Sequence, residues 1–192
     1  MTSKIGIFGG TFDPVHNEHV RIAELFCKKL SLDMLYIIPN RIPPLKENRC
    51  ASGSDRIKML ELAFADNKKA VISDMELKRE GTSYTCDTIS RLRETHPDSE
   101  LYLLVGDDWI DSFDRWHRYE YILENATLVV ASRSGRELTK SAKRIRELTG
   151  HTPILLGNTH NNISSTDFRA GGDGHLLPEK VLEYITERGL YR

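Results

Sequence analysis

Two histidines three residues apart, His16 and His19, lie in the stretch IGIFGGTFDPVHNEH at residues 5–19. Gly9, Gly10, Thr11, Phe12 and Asp13 come just before them. Imidazole N–H groups can donate to phosphate oxygens, glycines let backbone approach a ligand closely, and the free N–H groups of a helix start favour an anion. The set suits a nucleotide. A solvated helix start, or a metal site completed by Asp13, would use the same residue types.

Further polar clusters follow along the chain. Thr82, Ser83, Tyr84 and Thr85 precede a helical pattern, Gly106, Asp107 and Asp108 end an apolar run, and aromatics gather from Phe113 to Tyr121. ISSTDFR at residues 163–169 combines three hydroxyls with Arg169. Hydroxyls at a helix start and a guanidinium a turn later suit phosphate, a strand-end acid suits a ribose hydroxyl or a metal, and an aromatic can stack on a planar ring. Taken alone, each of these clusters is also what ordinary helix capping or core packing would produce.

The elements that must hold these residues follow from apolar periodicity. Ile5, Ile7 and Phe8 predict a buried strand turning at Gly9-Gly10; a loop of about ten residues leads to a helix marked by Val20, Ala23, Phe26 and Leu30. Residues 34–39 (MLYIIP) predict a second strand, so the opening is a βαβ unit and the sheet parallel. Pro43-Pro44 and Lys46 then fall in a loop at a strand's carboxyl end, where open α/β sheets bind ligands. Ser54 is the expected cap of a helix with Ile57, Leu60 and Phe64 on one face, and residues 70–73 predict a third strand. Ser83 or Thr85 is expected to cap a helix through Ile89 and Leu92. Strands over 101–109, 128–131 and 153–156 follow, with helices over 137–148 and after Pro178. The expectation is one α/β domain over residues 1–192, with a doubly wound parallel sheet.

At 192 residues, 39% hydrophobic and 29% charged, the chain can bury a substantial core. Its 27 basic and 28 acidic residues leave a net charge of −1, giving no bulk attraction to nucleic acid or membrane. Cys27, Cys50 and Cys86 form no CxxC pair, so buried free thiols are expected. No apolar run nears membrane-spanning length and no signal-peptide pattern precedes Lys4, so the expected location is cytoplasmic.

Taken together, GGTFDPVHNEH, IPNRIPPLK (38–46), REGTSYTCDT (79–88), LVGDDW (104–109), Trp116, ISSTDFR and the closing GLYR resemble the bacterial nicotinate-nucleotide adenylyltransferase family of the nucleotidylyltransferase superfamily. The resemblance spans nearly the whole chain. It implies a Rossmann-like fold and transfer of AMP from ATP to nicotinate mononucleotide, with magnesium, giving deamido-NAD and pyrophosphate by direct in-line attack. It assigns His16 and His19 to the ATP phosphates as catalytic residues. Gly9, Gly10, Thr11 and Phe12 also fall to the ATP site, as do Ser164, Ser165, Thr166 and Arg169 (β- and γ-phosphates) and Asp108 (ribose). The mononucleotide falls to backbone near Thr85 and His117, to Trp116 under the pyridine ring, and to Lys46 and Arg133 for its phosphate.

Four positions depart from the family pattern. Glu18 stands in place of the HxGH glycine, Leu45 in place of the PPHK histidine, His117 in place of a common tyrosine, and Asp107 adds an acid beside Asp108. Glu18 is expected to point to solvent as a first-turn acid; the alternative is an altered adenine site. Two other readings stand beside this one: another adenylyltransferase of the superfamily, such as phosphopantetheine adenylyltransferase, and a catalytically silent nucleotide-binding protein. The exposed aromatics around Trp116 allow a homodimer.

Overall fold

In the computed structural model the described residues are 2–41, 51–132, 138–158, 165–171 and 173–191. Six parallel strands form one sheet: β1 (Lys4–Gly10), β2 (Met34–Pro39), β3 (Ala70–Ile72), β4 (Glu100–Gly106), β5 (Thr127–Ser132) and β6 (Ile154–Asn158). Their order, β3-β2-β1-β4-β5-β6, reverses direction between β1 and β4. At such a reversal the two crossover connections leave toward opposite faces, and a crevice opens at the strands' carboxyl ends.

Alternation along the strands sorts side chains onto the two faces. Leu35, Ile37, Leu104 and Val129 meet α1 (Asn17–Leu30), α2 (Gly53–Ala63) and, near the chain's end, α8 (Glu179–Arg188), through Phe26, Met59, Leu60 and Val181. Ile5, Ile7, Leu103 and Val130 face the other way. They meet α4 (Thr85–Thr95), α5 (Tyr119–Asn125), α6 (Leu138–Thr149) and the 3-10 segment Asp107–Arg115, through Ile89, Ile122, Ile145 and Phe113. Two short helices, α3 (Met75–Lys78) and α7 (Ser165–Arg169), and a second 3-10 segment, Gly174–Leu176, complete the described elements.

Several boundaries differ from the sequence expectation. Gly9 and Gly10 belong to β1, paired with Ile38 and Pro39, so the loop to α1 is shorter than expected. The strand over 101–109 stops at Gly106, because Asp107 starts the 3-10 segment. Ser52, not Ser54, caps α2 by accepting the Asp55 N–H at 3.1 Å. The buried stripe of α2 runs through Arg56, Met59 and Leu60, leaving Ile57 only half-buried. Tyr84 is the N-cap of α4 and makes no side-chain cap bond; Ser83 donates instead to the Glu76 carbonyl at 3.3 Å. Cys27 and Cys86 are free buried thiols, pushed up in pKa by burial, and Cys50 lies outside the described residues.

Candidate active site

The carboxyl end of β1 delivers the paired histidines. His16 is the N-cap of α1 and His19 stands in its first turn. The His16 backbone N–H donates to His19 Nδ1 at 3.2 Å. With Nδ1 accepting, the neutral ring carries its proton on Nε2, which makes Nε2 a donor. The two rings stack with centroids 3.6 Å apart. Two imidazolium charges at that separation would repel by about 5 kcal/mol at an effective dielectric near 20. A doubly protonated pair therefore needs an anion against it, and a phosphate chain is such an anion.

Phe12 fixes this pair from behind. It is buried (1% exposed), adopts a positive φ of 49°, and sets its ring edge-on to His19 at 5.0 Å and to Phe8 at 5.2 Å. A Cβ on Gly10 would lie 2.9 Å from the Phe12 ring, so glycine is needed there for packing. The Phe12 side chain is thus a buttress inside the core, and Gly10 makes room for it, which leaves their backbone groups for any contact with a ligand. Gly9 differs. A Cβ there meets nothing within 4 Å, so its face is open to a ligand.

The loop between β1 and α1 is held by distant parts of the chain. Buried Arg56 donates through Nη1 to the carbonyls of Thr11 and Asn40, each at 2.8 Å, tying the exposed Thr11 to the end of β2. Asp13 precedes a cis peptide bond to Pro14, and its carboxylate accepts the Ala51 N–H at 2.9 Å. Ser165 Oγ donates to the Pro14 carbonyl at 2.9 Å, and Arg169 Nη1 donates to the Asp13 carbonyl. Arg169 also donates to Thr166 Oγ1 at 3.3 Å. The structure thus gathers His16, His19, Thr11, Ser165, Thr166 and Arg169 around one loop, although the contacting Pro14 and Ser165 lie 151 residues apart in sequence. Ser164, Lys46 and Arg133 lie outside the described residues.

A second group forms where β4 ends. Asp107 turns inward, 1% exposed, and accepts from Ser132 Oγ at 2.7 Å. Asp108 is exposed, and its carboxylate lies over Gly106: a Cβ there would come 2.2 Å from Oδ1. Trp116 sits at the far end of the 3-10 segment, 5.1 Å from Phe113, with Trp109 edge-on at 6.0 Å. The Tyr84 and His117 rings meet at 4.4 Å, which brings the start of α4, and with it Thr85, beside Trp116 and His117. Under this start, Thr88 Oγ1 donates to buried Glu76 at 2.7 Å, and burial pushes the Glu76 carboxyl up.

Glu18 does not point to solvent. It is 1% exposed and receives both Arg21 Nε and Nη2, each at 3.0 Å, while the Arg21 side chain remains 45% exposed. An i,i+3 spacing brings the two side chains together on the helix, and the forked pairing compensates the carboxylate's burial.

Sequence reasoning missed Arg56, although an arginine three and four residues before Met59 and Leu60 sits on that helix's apolar stripe. The partners of Asp13 carried no local signal.

The donors gathered near the β1 end are nitrogens and hydroxyls, which complement phosphate rather than a cation. Among the described residues no three of His, Cys, Asp and Glu converge as a metal site. No helix among them is long and apolar enough to cross a membrane.

Comparison with known proteins agrees with this arrangement. The cytidylyltransferase-like family model matches residues 7–171. A Neisseria meningitidis protein named "Probable nicotinate-nucleotide adenylyltransferase" is 34% identical over 98% of both chains. A Geobacillus thermodenitrificans protein of the same name is 40% identical over 98% of this chain and 86% of its own. In structure, the chain is similar to Plasmodium falciparum nicotinic acid mononucleotide adenylyltransferase complexed with NaAD, with a TM-score of 0.82, 20% identity, and coverage of 98% and 97%. The chain belongs to the nicotinate-nucleotide adenylyltransferases of the cytidylyltransferase-like family.

Proposed function

We propose that this protein transfers AMP from ATP to nicotinate mononucleotide, releasing pyrophosphate and forming deamido-NAD. The observation that carries the reading is the stacked His16–His19 pair, in which His19 Nδ1 accepts and Nε2 is the donor, on the loop that Arg169 grips. A mononucleotide phosphate oxygen attacks the α-phosphorus in line, a new P–O bond forms, and the bond to the α,β-bridging oxygen breaks. The attacking oxygen is already anionic, so no base is required, and the protein's work is positioning and charge neutralisation. His19 Nε2–H and His16 meet the α-phosphate and the departing pyrophosphate. Ser165, Thr166 and Arg169, with Ser164, hold the β- and γ-phosphates. Gly9 and Thr11 offer open backbone, and Asp108 faces the ribose.

On the acceptor side, Thr85 and His117 offer backbone to the nicotinate carboxylate and Trp116 lies under the ring, with Lys46 and Arg133 for the phosphate. Magnesium would enter with ATP, held by phosphate oxygens and water as is usual for this ion, and Asp108 is an exposed carboxylate that could join them. It supplies charge neutralisation on the triphosphate.

The test is pyrophosphate release by purified protein with ATP, magnesium and, in separate reactions, nicotinate mononucleotide, nicotinamide mononucleotide or phosphopantetheine. Turnover with the first is the expected result. Turnover with phosphopantetheine alone would assign the chain to another adenylyltransferase, and ATP binding without any turnover to a silent nucleotide-binding protein.

A further inference from the structure

The chain closes on its own first loop. Tyr191 follows α8 in a left-handed conformation, φ 64°, and its hydroxyl donates to Asp13 Oδ1 at 2.5 Å. Its ring meets Phe168 edge-on at 6.0 Å, so one residue touches both the Asp13-Pro14 loop and the helix that carries Arg169. The Ala51 N–H lands on the same oxygen, Oδ1. Arg169 Nη1 stands 3.9 Å from the other oxygen, Oδ2, and spends its hydrogen bond on the Asp13 carbonyl. Asp13 is buried, 1% exposed. Burial and the neighbouring carboxylate push the Tyr191 hydroxyl far up, which keeps it a donor at any physiological pH.

A buried carboxylate is stabilised by as many donors as it can reach. Here two donors satisfy Oδ1, and the guanidinium stays just outside a tight ion pair. Without the tyrosine hydroxyl, Asp13 would have one donor on Oδ1 and a cation 3.9 Å from Oδ2 as the nearest replacement. Closing that gap would draw Arg169 inward and cancel part of its charge. A group displaced by about 1 Å can lose on the order of a hundredfold in effectiveness.

We propose that Tyr191 is a positioning residue: by satisfying Asp13, it keeps the Arg169 guanidinium set toward the polyphosphate of ATP. The proposal rests on the reading of Arg169 as a phosphate ligand.

The experiment is a double-mutant cycle of Tyr191→Phe and Arg169→Ala, with KM measured for ATP and for nicotinate mononucleotide below the melting temperature of each variant. Tyr191→Phe is expected to raise the ATP KM on the order of tenfold, the size of one weakened charge-assisted contact, with the mononucleotide KM within about twofold of wild type. In the Arg169→Ala background it should add nothing further to the ATP KM, because the group it positions is gone. An unchanged ATP KM in Tyr191→Phe, beside a raised one in Arg169→Ala, overturns the proposal and keeps the phosphate reading. Additive effects, or equal rises in both KM values, overturn it in favour of general loosening. No effect of Arg169→Ala removes the phosphate reading itself. If Tyr191→Phe fails to fold, Asp13→Asn takes its place: with no carboxylate left to draw Arg169, the ATP KM should stay near that of wild type, and a rise on the order of tenfold overturns the proposal.

Discussion

Ser132 Oγ donates to Asp107 Oδ2 at 2.7 Å, with both side chains buried. The bond joins the last residue of β5 to the first residue after β4, and it accounts for the additional acid beside Asp108. Adjacent residues of a tight helical turn cannot share one direction, so anchoring Asp107 inward leaves Asp108 exposed over Gly106. Ser132→Ala removes a hydrogen bond to a buried charged group, worth about 1.5–3 kcal/mol. The expected result is a melting temperature lower by several degrees, read by calorimetry; an unchanged melt would show that the bond carries no net stability.

His19→Ala removes a donor aimed, under the proposed mechanism, at the phosphate where charge shifts. Loss of one such donor typically lowers kcat on the order of a hundredfold or more. The Phe12–Phe8 contact does not need the imidazole, so circular dichroism should report a folded protein. Near-normal kcat in the folded variant would move the transition-state stabilisation elsewhere.

Glu18 and Arg21 should respond unequally to truncation. Arg21→Ala leaves a buried carboxylate without its forked partner, whereas Glu18→Gly leaves a guanidinium that is already 45% exposed. With the pair open to water on one side, Arg21→Ala should cost about 1–3 kcal/mol. Glu18→Gly should cost about 1 kcal/mol, mostly from glycine in a helix. Chemical denaturation of both variants and of the double variant measures this. The double variant should be more stable than Arg21→Ala, and the opposite order would refute the buried-charge argument.

Two carboxylates give opposite pH dependence. Asp55 is held below its ordinary value, chiefly by the Ser52 hydroxyl, with help from the Tyr184 hydroxyl and the Arg188 charge. Its stabilisation is complete above the unfolded value of about 3.9 and is lost as pH falls through the lower folded value. Asp55→Asn should therefore flatten the acid limb of the melting curve. Glu76 is held above its ordinary value by burial, so its contribution is complete below the unfolded value and is lost as pH rises through the folded one. Glu76→Gln keeps an acceptor for Thr88 and should gain on wild type toward neutral pH. Melting temperatures from pH 3 to 8 test both signs.

The element types were legible because periodicity is local. The continuous apolar run around Leu103 and the helical spacing of Ala23 and Phe26 encode burial whatever lies opposite. The nucleotide loop was legible for a different reason: backbone approach and phosphate donation need particular residue types within a few positions, and His16 and His19 satisfy that need in one turn.

Side-chain direction was decided by tertiary structure. Gly10 and Phe12 share one motif, yet only the packing of Phe12 on Gly10 and His19 shows that one makes room and the other supports the ring. Glu18 has a first-turn acid's sequence context, but it is buried with Arg21 instead of facing solvent. Asp13 draws its donors from Ala51 and Tyr191, contacts separated by 38 and 178 residues, and no local pattern can announce a partner that far away. The sequence by itself determined which residues could do phosphate chemistry, because that depends on residue type and short spacing. Only the folded chain decided which of them face the crevice and which hold the others in place, because burial and hydrogen-bond partnership are properties of the whole packing.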